Sequence, residues 1–468
     1  MKQTKYPARR RRVFPALVIS YVILASLVFT GTAYPQGLTK QAVPGPGPAA
    51  GVPAGPQYQI FDIGIVQMAD TASQGFGVSP GGIAVGRSVR TGGAQAFSWT
   101  TGGGIVGLPN IAGRAFCVSN AANDTGLVVG TCAASLFGTS RLPVLWQNGA
   151  VFQLTLPPGE TLGDANDVNA SGVAVGSVDA GSLQQAAFYF GPNATVITQT
   201  TSNGCFFNTA FGINDSGRVV GTGIDPNNAA RNVGMVFDIG QSSAFEVGAL
   251  PGANGALAFG IGNGGHVVGS SMMNQGSGLP FIWTQSQGMA AIPLPAGTTQ
   301  GSARAVNTAG RAVGTASSAF AIPFLYDGSA TYRLADLIPP GTGWDLSTNT
   351  SSSALGISDN NVIVGTGVFN GAVHAYAMVP APVSVGGRVL TSGGAGIRNA
   401  LVTISGGNLP APVTVQTGNF GSYNFTGLQS GTTYTVTVGT KRYLILQPSR
   451  VVTPQANVTD FDFIAEPQ

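Results

Sequence analysis

Seven copies of one short pattern, each ending in Val-Gly, set the limits on what this chain can fold into. The final glycines are Gly86, Gly130, Gly176, Gly221, Gly269, Gly314 and Gly365, with gaps of 44, 46, 45, 48, 45 and 51 residues. The residue before each is valine: Val85, Val129, Val175, Val220, Val268, Val313 and Val364. Four places before the final glycine stands Gly82, Gly126, Gly172, Gly217, Gly265, Gly310 or Asn361, and seven places before it Ser79, Asn123, Asn169, Asn214, Gly262, Asn307 or Ser358. A fixed period of this length marks a supersecondary unit that cannot bury its apolar face alone and must pack against its neighbours.

The unit reads as a β-hairpin. Asn or Ser at the first position can bond its own backbone two residues on, and the next glycine supplies the positive φ that closes a tight loop. Asn361 is the residue type next most tolerant of that geometry. Apolar residues flank the loop on both sides (Val78, Val168, Ile213, Ile261, Val306 and Ile357 before it), with β-branched types frequent. A third apolar run follows in every copy, as in Ala96-Phe97-Ser98-Trp99, Ala187-Phe188-Tyr189-Phe190, Phe281-Ile282-Trp283 and Ala375-Tyr376. A fourth follows in most copies and often ends in Leu-Pro: 105–109, 152–157, 245–251, 292–295 and 332–339. Four strands about every 45 residues predict the blades of a seven-bladed β-propeller.

The seventh copy has no fourth run of its own, because it stops at Ala377-Met378-Val379-Pro380. The stretch Tyr58-Gln59-Ile60-Phe61-Asp62-Ile63-Gly64 resembles a fourth strand but precedes the first hairpin. The count balances if this N-terminal strand completes the last blade and closes the ring, burying Ile60, Ile63 and Ile65 and removing exposed sheet edges.

The rest of the chain divides around this array. Residues 1–33 read as an export signal, with Arg9 to Arg12, an apolar run from Val13 to Phe29 and then small residues to Ala33. The 17-residue run suits a cleaved signal ending near Ala33, with a retained anchor as the alternative. Residues 34–57 read as a Pro/Gly linker. Six of the 21 basic residues lie in the leader, and the 15 left face 18 acids, so no basic surface for nucleic acid is expected. Beyond the array, 383–468 alternates in short strands with a Gly418-Asn419-Phe420-Gly421 turn, which predicts a two-sheet β-sandwich of about seven strands.

The repeats Gly-Ile-Asn-Asp-Ser-Gly-Arg-Val-Val-Gly (Gly212 to Gly221) and the triplets Gln95-Ala96-Phe97, Ala186-Ala187-Phe188 and His374-Ala375-Tyr376 resemble the bacterial extracellular HAF-repeat family over 58–380. The resemblance implies secretion and a propeller, and it brings no activity with it. The C-terminal segment resembles a carboxypeptidase-regulatory-like, prealbumin-type domain, which in that family is an accessory without catalytic residues.

Several stretches match motifs of known chemistry, and each has a plainer reading. Gly77-Val78-Ser79-Pro80-Gly81 matches a hydrolase elbow, which needs a strand-to-helix turn, yet Ser79 occupies the hairpin position. Gly260 to Gly265 matches a phosphate loop, but no helix follows. His266, expected to point outward from the fifth hairpin, and His374, in a third strand, stand too far apart in the pattern for a metal site or a nucleophile relay. Asp124, Asp215 and Asp359 recur beside the hairpin asparagine, where turn formation outweighs the alternative of calcium ligation. Cys117 and Cys132 flank the second hairpin symmetrically, so in an exported protein they can form a disulfide, although directly opposed strand positions suit that geometry poorly and leave free thiols open. Cys205 is left as a buried thiol. Asn193 and Asn457 stand in Asn-x-Ser/Thr triplets read as turn and surface positions.

The expectation is an all-β, seven-bladed propeller closed by an N-terminal strand and followed by the sandwich. No catalytic residue, cofactor or metal is expected. The chain reads as a monomeric secreted or cell-surface binding or scaffold protein for an extracellular glycan or protein, with no membrane insertion beyond an anchor if the leader is retained. The alternatives are a propeller enzyme acting on polysaccharide, which would need paired carboxylates, and a purely structural surface module.

Overall fold

The structure, a computed structural model, describes residues 55–135, 140–180, 183–190, 193–273 and 277–467. The leader and the linker up to residue 54 lie outside the described residues. Each of the first six repeats is a meander of four antiparallel strands. The fourth repeat shows it most plainly, running Phe206–Ile213, Arg218–Ile224, Asn232–Asp238 and Phe245–Glu246. The hairpin between the first two strands is the repeated pattern itself. Its glycine takes positive φ in every copy that has one, from +78° at Gly310 to +106° at Gly82, and Asn361 does the same at +61°.

The hairpin asparagine works differently from expectation. Its carboxamide oxygen accepts mainly from the backbone N–H four residues on, as in Val173 to Asn169 (3.0 Å), Arg218 to Asn214 (2.9 Å) and Arg311 to Asn307 (3.0 Å). The bond two residues on is made by Asn123, to the N–H of Thr125. The outermost strands also end earlier than expected. The Leu-Pro pair follows the strand, as after Gly104–Gly107, and Leu108 and Ile292 are buried just beyond it. A fourth strand that the sequence pattern left unassigned in the third repeat is Asn193–Val196.

Apolar side chains fill the gaps between blades. Seven buried clusters each combine residues of two neighbouring blades. The valine of each pattern goes forward: Val85 packs with Cys117 and Trp146 of blade two, Val220 with Phe281 and Trp283 of blade five, and Val364 with Phe97 and Trp99 of blade one. Among the described side chains the third-strand aromatic goes backward into the junction before it, as Phe97, Phe237 and Phe281 do. A blade therefore lends one face to each neighbour, and no blade has a complete core without both.

The last of these junctions closes the ring. Tyr58–Asp62 pairs antiparallel with Ala372–Pro380, in the register Tyr58↔Pro380 to Asp62↔Tyr376. Ile63 is buried as expected, but Ile60 is only half-buried, and the largest group hidden here is Tyr58, 1% exposed among Leu334, Leu337, Leu346 and Met378. Two polar contacts reinforce closure: Ala375 N–H donates to Ser73 Oγ (2.9 Å), and His374 Nδ1 lies 2.9 Å from Asp62 Oδ1. The 51-residue gap before the seventh copy holds a 3-10 turn, Leu334–Leu337, and a short strand, Trp344–Asp345, that pairs with Ile363–Phe369.

One residue, Ala381, separates the ring from the sandwich, whose sheets contain four strands each around Val385, Val402, Ile404, Phe425, Tyr434, Val436 and Phe463. The Gly418–Gly421 turn is present, with Gly421 at φ +75°. Residues 55–57, expected to end a linker, are instead bound on both sides. Gln57 N–H donates to Ser430 Oγ (2.8 Å), Gln57 O accepts from Ala381 N–H (2.8 Å), and an alanine methyl at Gly55 would meet Leu337 and Tyr332. Arg311 of the sixth hairpin donates to Gly431 O of the sandwich.

Because blade seven has no other outer strand, deleting Tyr58–Asp62 leaves an open edge and an unfilled cluster. The expected outcome is a chain that unfolds or self-associates, measured by size-exclusion chromatography and thermal melting; a monomer with unchanged melting temperature contradicts ring closure.

Candidate functional site

The innermost strand of every blade carries a β-bulge at the same place, and those of the fourth and fifth blades carry a second one earlier in the strand. The pairing skips a residue between Gly75 and Gly77, Ser119 and Ala121, Ala165 and Asp167, Ala210 and Gly212, Ala258 and Gly260, Ala303 and Ala305, and Ala354 and Gly356. The skipped residues are Phe76, Asn120, Asn166, Phe211, Phe259, Arg304 and Leu355, and all seven line a central cavity of about 430 Å³. A bulge re-aims the extra side chain out of the ladder, so here each blade delivers one residue to the axis of the ring.

The bulge also explains the glycine on which the repeats align. The carbonyl just before the bulge leans onto the second strand, and a Cβ at the glycine opposite would meet it at 2.0 Å from Gln74 O (Gly86), 1.8 Å from Asp164 O (Gly176) or 1.9 Å from Thr209 O (Gly221). The other four glycines meet the equivalent carbonyl at 1.9 to 2.1 Å. No side chain fits at such distances. The residue after the bulge is small in six of the seven blades for a related reason: a Cβ at Gly77 would lie 2.3 Å from Asn120 O of the next blade, and one at Gly260 2.6 Å from Arg304 O.

Hairpin loops surround the cavity and are tied to one another. The carboxamide of Asn123 donates to Asn169 O (3.1 Å), that of Asn169 to Asn214 O (3.2 Å) and that of Asn307 to Ser358 O (3.1 Å), each reaching the next blade. The neighbouring aspartate reaches back. Asp124 Oδ1 accepts from Gly81 N–H (2.6 Å), Asp215 Oδ1 from Ala170 N–H (2.8 Å), and Asp359 from both the N–H (2.8 Å) and the hydroxyl (2.9 Å) of Thr308. These carboxylates thus serve as latches between hairpins, and among the described residues no group of three or more His, Cys, Asp or Glu is arranged to hold a metal ion.

Two residues break the ring's repetition. After the bulge, six blades have Gly or Ala and the third has Asp167; at the bulge itself, six have a neutral residue and the sixth has Arg304. Asp167 accepts from Val168 N–H (2.8 Å) and, across the junction, from Ile213 N–H (2.9 Å). Burial pushes its pKa up to about 7, the two backbone donors oppose that shift, and the charge of Asp215 adds to it. Arg304 lies 4.3 Å from the ring centre of Phe259, which meets Phe211 edge-on at 5.7 Å. Burial lowers its pKa, although a guanidinium keeps its charge in proteins. Elsewhere Arg90, Arg141, Arg218 and Arg231 are paired with carboxylates, whereas Arg304 has no ion pair or protein hydrogen bond among the described residues.

Other sequence candidates fall outside this site or serve the scaffold. Ser79 Oγ accepts Ile83 N–H (3.1 Å) inside the first hairpin, and Gly260 to Gly265 form the fifth. His266 does not point outward: it is half-buried, with its ring over Gly310 of the next hairpin, a glycine with no side chain to displace it. The Sγ atoms of Cys117 and Cys132, paired in register, are 1.99 Å apart in a disulfide. Closing a loop of this length, 15 residues, contributes about 3 kcal/mol. Cys205 is free and buried, its pKa raised by that burial, with Arg231 donating to its sulfur (3.1 Å). Asn457 Oδ1 accepts Ser384 N–H (2.9 Å) within the sandwich, and the side chain of Asn193 lies outside the described residues. A hollow of about 470 Å³ lies along the loop 335–348, but a single segment forms its walls. The channel, where all seven repeats converge, is therefore the candidate site.

No protein-family model matches the chain, and no curated protein matches it in sequence. Solved structures similar to it include a catalytically inactive virginiamycin B lyase from Staphylococcus aureus (11% identity, TM-score 0.44, covering 69% of this chain and 100% of that one). An oligogalacturonate lyase from Vibrio parahaemolyticus is 10% identical with TM-score 0.45, over 70% of this chain and 97% of that one. The β-propeller domain of the Trilobed protease from Pyrococcus furiosus is 7% identical with TM-score 0.43, over 67% and 94%. Their activities are theirs alone.

Asp167 gives the site a pH signature. Its native pKa lies above the ordinary value of 3.8, so between these two pH values the folded chain holds a proton that the unfolded chain has lost. Stability from this group is therefore full below about pH 4 and is lost as pH rises through about 7. The wild type should lose more stability between pH 5 and pH 8 than Asp167→Ala, by urea denaturation; identical pH profiles contradict the assignment.

Proposed function

We propose that this chain is an exported, non-enzymatic binding or scaffold protein whose channel mouth receives an extracellular carbohydrate or protein. The observation that carries this reading is the set of seven bulges, which aim one unlike side chain per blade at a single cavity while the rest of each blade repeats. Repetition marks what the scaffold needs, and variation at one converging position is what recognition needs. Three phenylalanine rings line the cavity, and the carboxylates of the surrounding hairpins are engaged with backbone donors. Export is supported by the leader and by the disulfide, a bond that persists in oxidising compartments. The HAF-repeat resemblance agrees with it.

One observation favours the second reading, a polysaccharide-acting enzyme. Asp167 sits in the cavity wall with a pKa near neutrality beside the charge of Asp215, the kind of environment that suits a general acid. Glycan-array and polysaccharide-degradation assays on the exported chain separate the two. Saturable binding without release of product is expected. Cleavage abolished by Asp167→Ala would replace the binding reading with the enzymatic one, and the absence of both binding and cleavage would leave only the structural-module reading.

A further inference from the structure

We propose that Arg304 is the carboxylate-binding residue of the channel, and that the cavity takes a saccharide end carrying a single carboxylate, a uronic acid. This rests on the binding reading above and names the ligand class for the same cavity.

Within a ring of seven repeats, Arg304 stands where the other blades place Phe, Asn or Leu, so the fold does not demand a cation there. Its Cζ lies over the Phe259 ring, and its N–H donors, engaged by no protein group among the described residues, suit a bidentate contact of the kind guanidinium makes with carboxylate. The rest of the wall is rich in acceptors. Asn120 and Asn166 each donate one N–H, to Ala165 O (2.8 Å) and Ala210 O (2.9 Å) of the following blades, and no protein donor reaches their carboxamide oxygens. Asp167 adds a carboxyl in the third blade, three blades from Arg304 around the ring. A wall of acceptors with one cation fits a ligand rich in hydroxyl donors and bearing one carboxylate.

The charges around the mouth limit the ligand further. Asp124, Asp215 and Asp359 line the cavity together with Asp167, and Arg304 is the only Lys or Arg among its lining residues. A dense polyanion threaded past this rim would meet repulsion from several carboxylates. One carboxylate seated on Arg304 meets it least, with the sugar's apolar face on Phe211 and Phe259.

The test is calorimetric titration of the full exported chain with an aldobiuronic acid, with the neutral disaccharide of the same linkage, and with an N-acetylated dipeptide as a second source of carboxylate. The acid should bind at least tenfold more tightly than the neutral sugar, and more weakly as salt is raised. Arg304→Gln should remove that preference while leaving the melting temperature near that of wild type, since the position accepts uncharged residues in six blades. Arg304→Lys should retain part of it. Equal affinity for acid and neutral sugar, or an acid affinity unchanged in Arg304→Gln, overturns the carboxylate role and leaves the binding reading standing. Binding of the dipeptide but not of the acidic sugar overturns the saccharide assignment. Failure to bind any of the three overturns the proposal, and the array result then decides the binding reading separately.

Discussion

The contact on which this molecule depends is the one between a bulged carbonyl and a bare glycine. In each blade the innermost strand gains a residue, the carbonyl two residues before it lies against the second strand, and the glycine there leaves the space. Three consequences follow from that single fit. The two strands stay close enough to present the preceding valine to the next blade. The third-strand residue opposite the glycine can lie over it, as Phe97, Phe281, Phe324 and Tyr376 do with atoms 2.6 to 2.8 Å from where a Cβ would stand. The extra residue turns to the axis. Scaffold and site are thus products of the same irregularity, consistent with the association of bulges with functional positions.

Cohesion around the ring has two layers that act at different depths. Between blades, apolar clusters such as that of Val220, Phe281 and Trp283 contribute through burial, roughly 1.5 to 3 kcal/mol for each large side chain hidden. At the hairpin end, asparagine reaches forward and aspartate reaches back, each to a neighbour's backbone, so loops that would otherwise move separately form one rim. The sandwich joins that rim through Arg311 and through the segment 55–57, so the C-terminal domain and the closing strand are held in one place. An accessory domain attached in this way also restrains the strand that completes blade seven.

Much of the architecture was legible in the sequence because it rests on local chemistry repeated seven times. The Asn-x-x-Gly spacing marked the hairpins, the missing seventh outer strand pointed to Tyr58–Asp62, and the equal offsets of Cys117 and Cys132 allowed a bridge but left free thiols open. What the sequence did not disclose lies in contacts about 45 residues apart. Asp215 looks like a turn former until Ala170 of the preceding blade is seen to donate to it, and His266 looks exposed until Gly310 is seen beneath it. The bulge left a trace, a Gly or Ala nine places before the aligned glycine in six of the seven repeats. Its occupants at the axis, Phe76, Asn120, Arg304 and the rest, share no property that alignment could reveal. Only with the axis known does the pair of departures, Asp167 and Arg304, stand out as a property of the site.

The measurement that bears most directly on this account is the stability of Gly221→Ala against Gly102→Ala by equilibrium urea unfolding. A Cβ at Gly221 would lie 1.9 Å from Thr209 O, whereas Gly102 has nothing within 4 Å. Overpacking against backbone should cost Gly221→Ala about 3 kcal/mol or more, with Gly102→Ala within about 0.5 kcal/mol of wild type. Equal and small effects at both positions would contradict the bulge-on-glycine contact, and with it the placement of seven side chains on the axis.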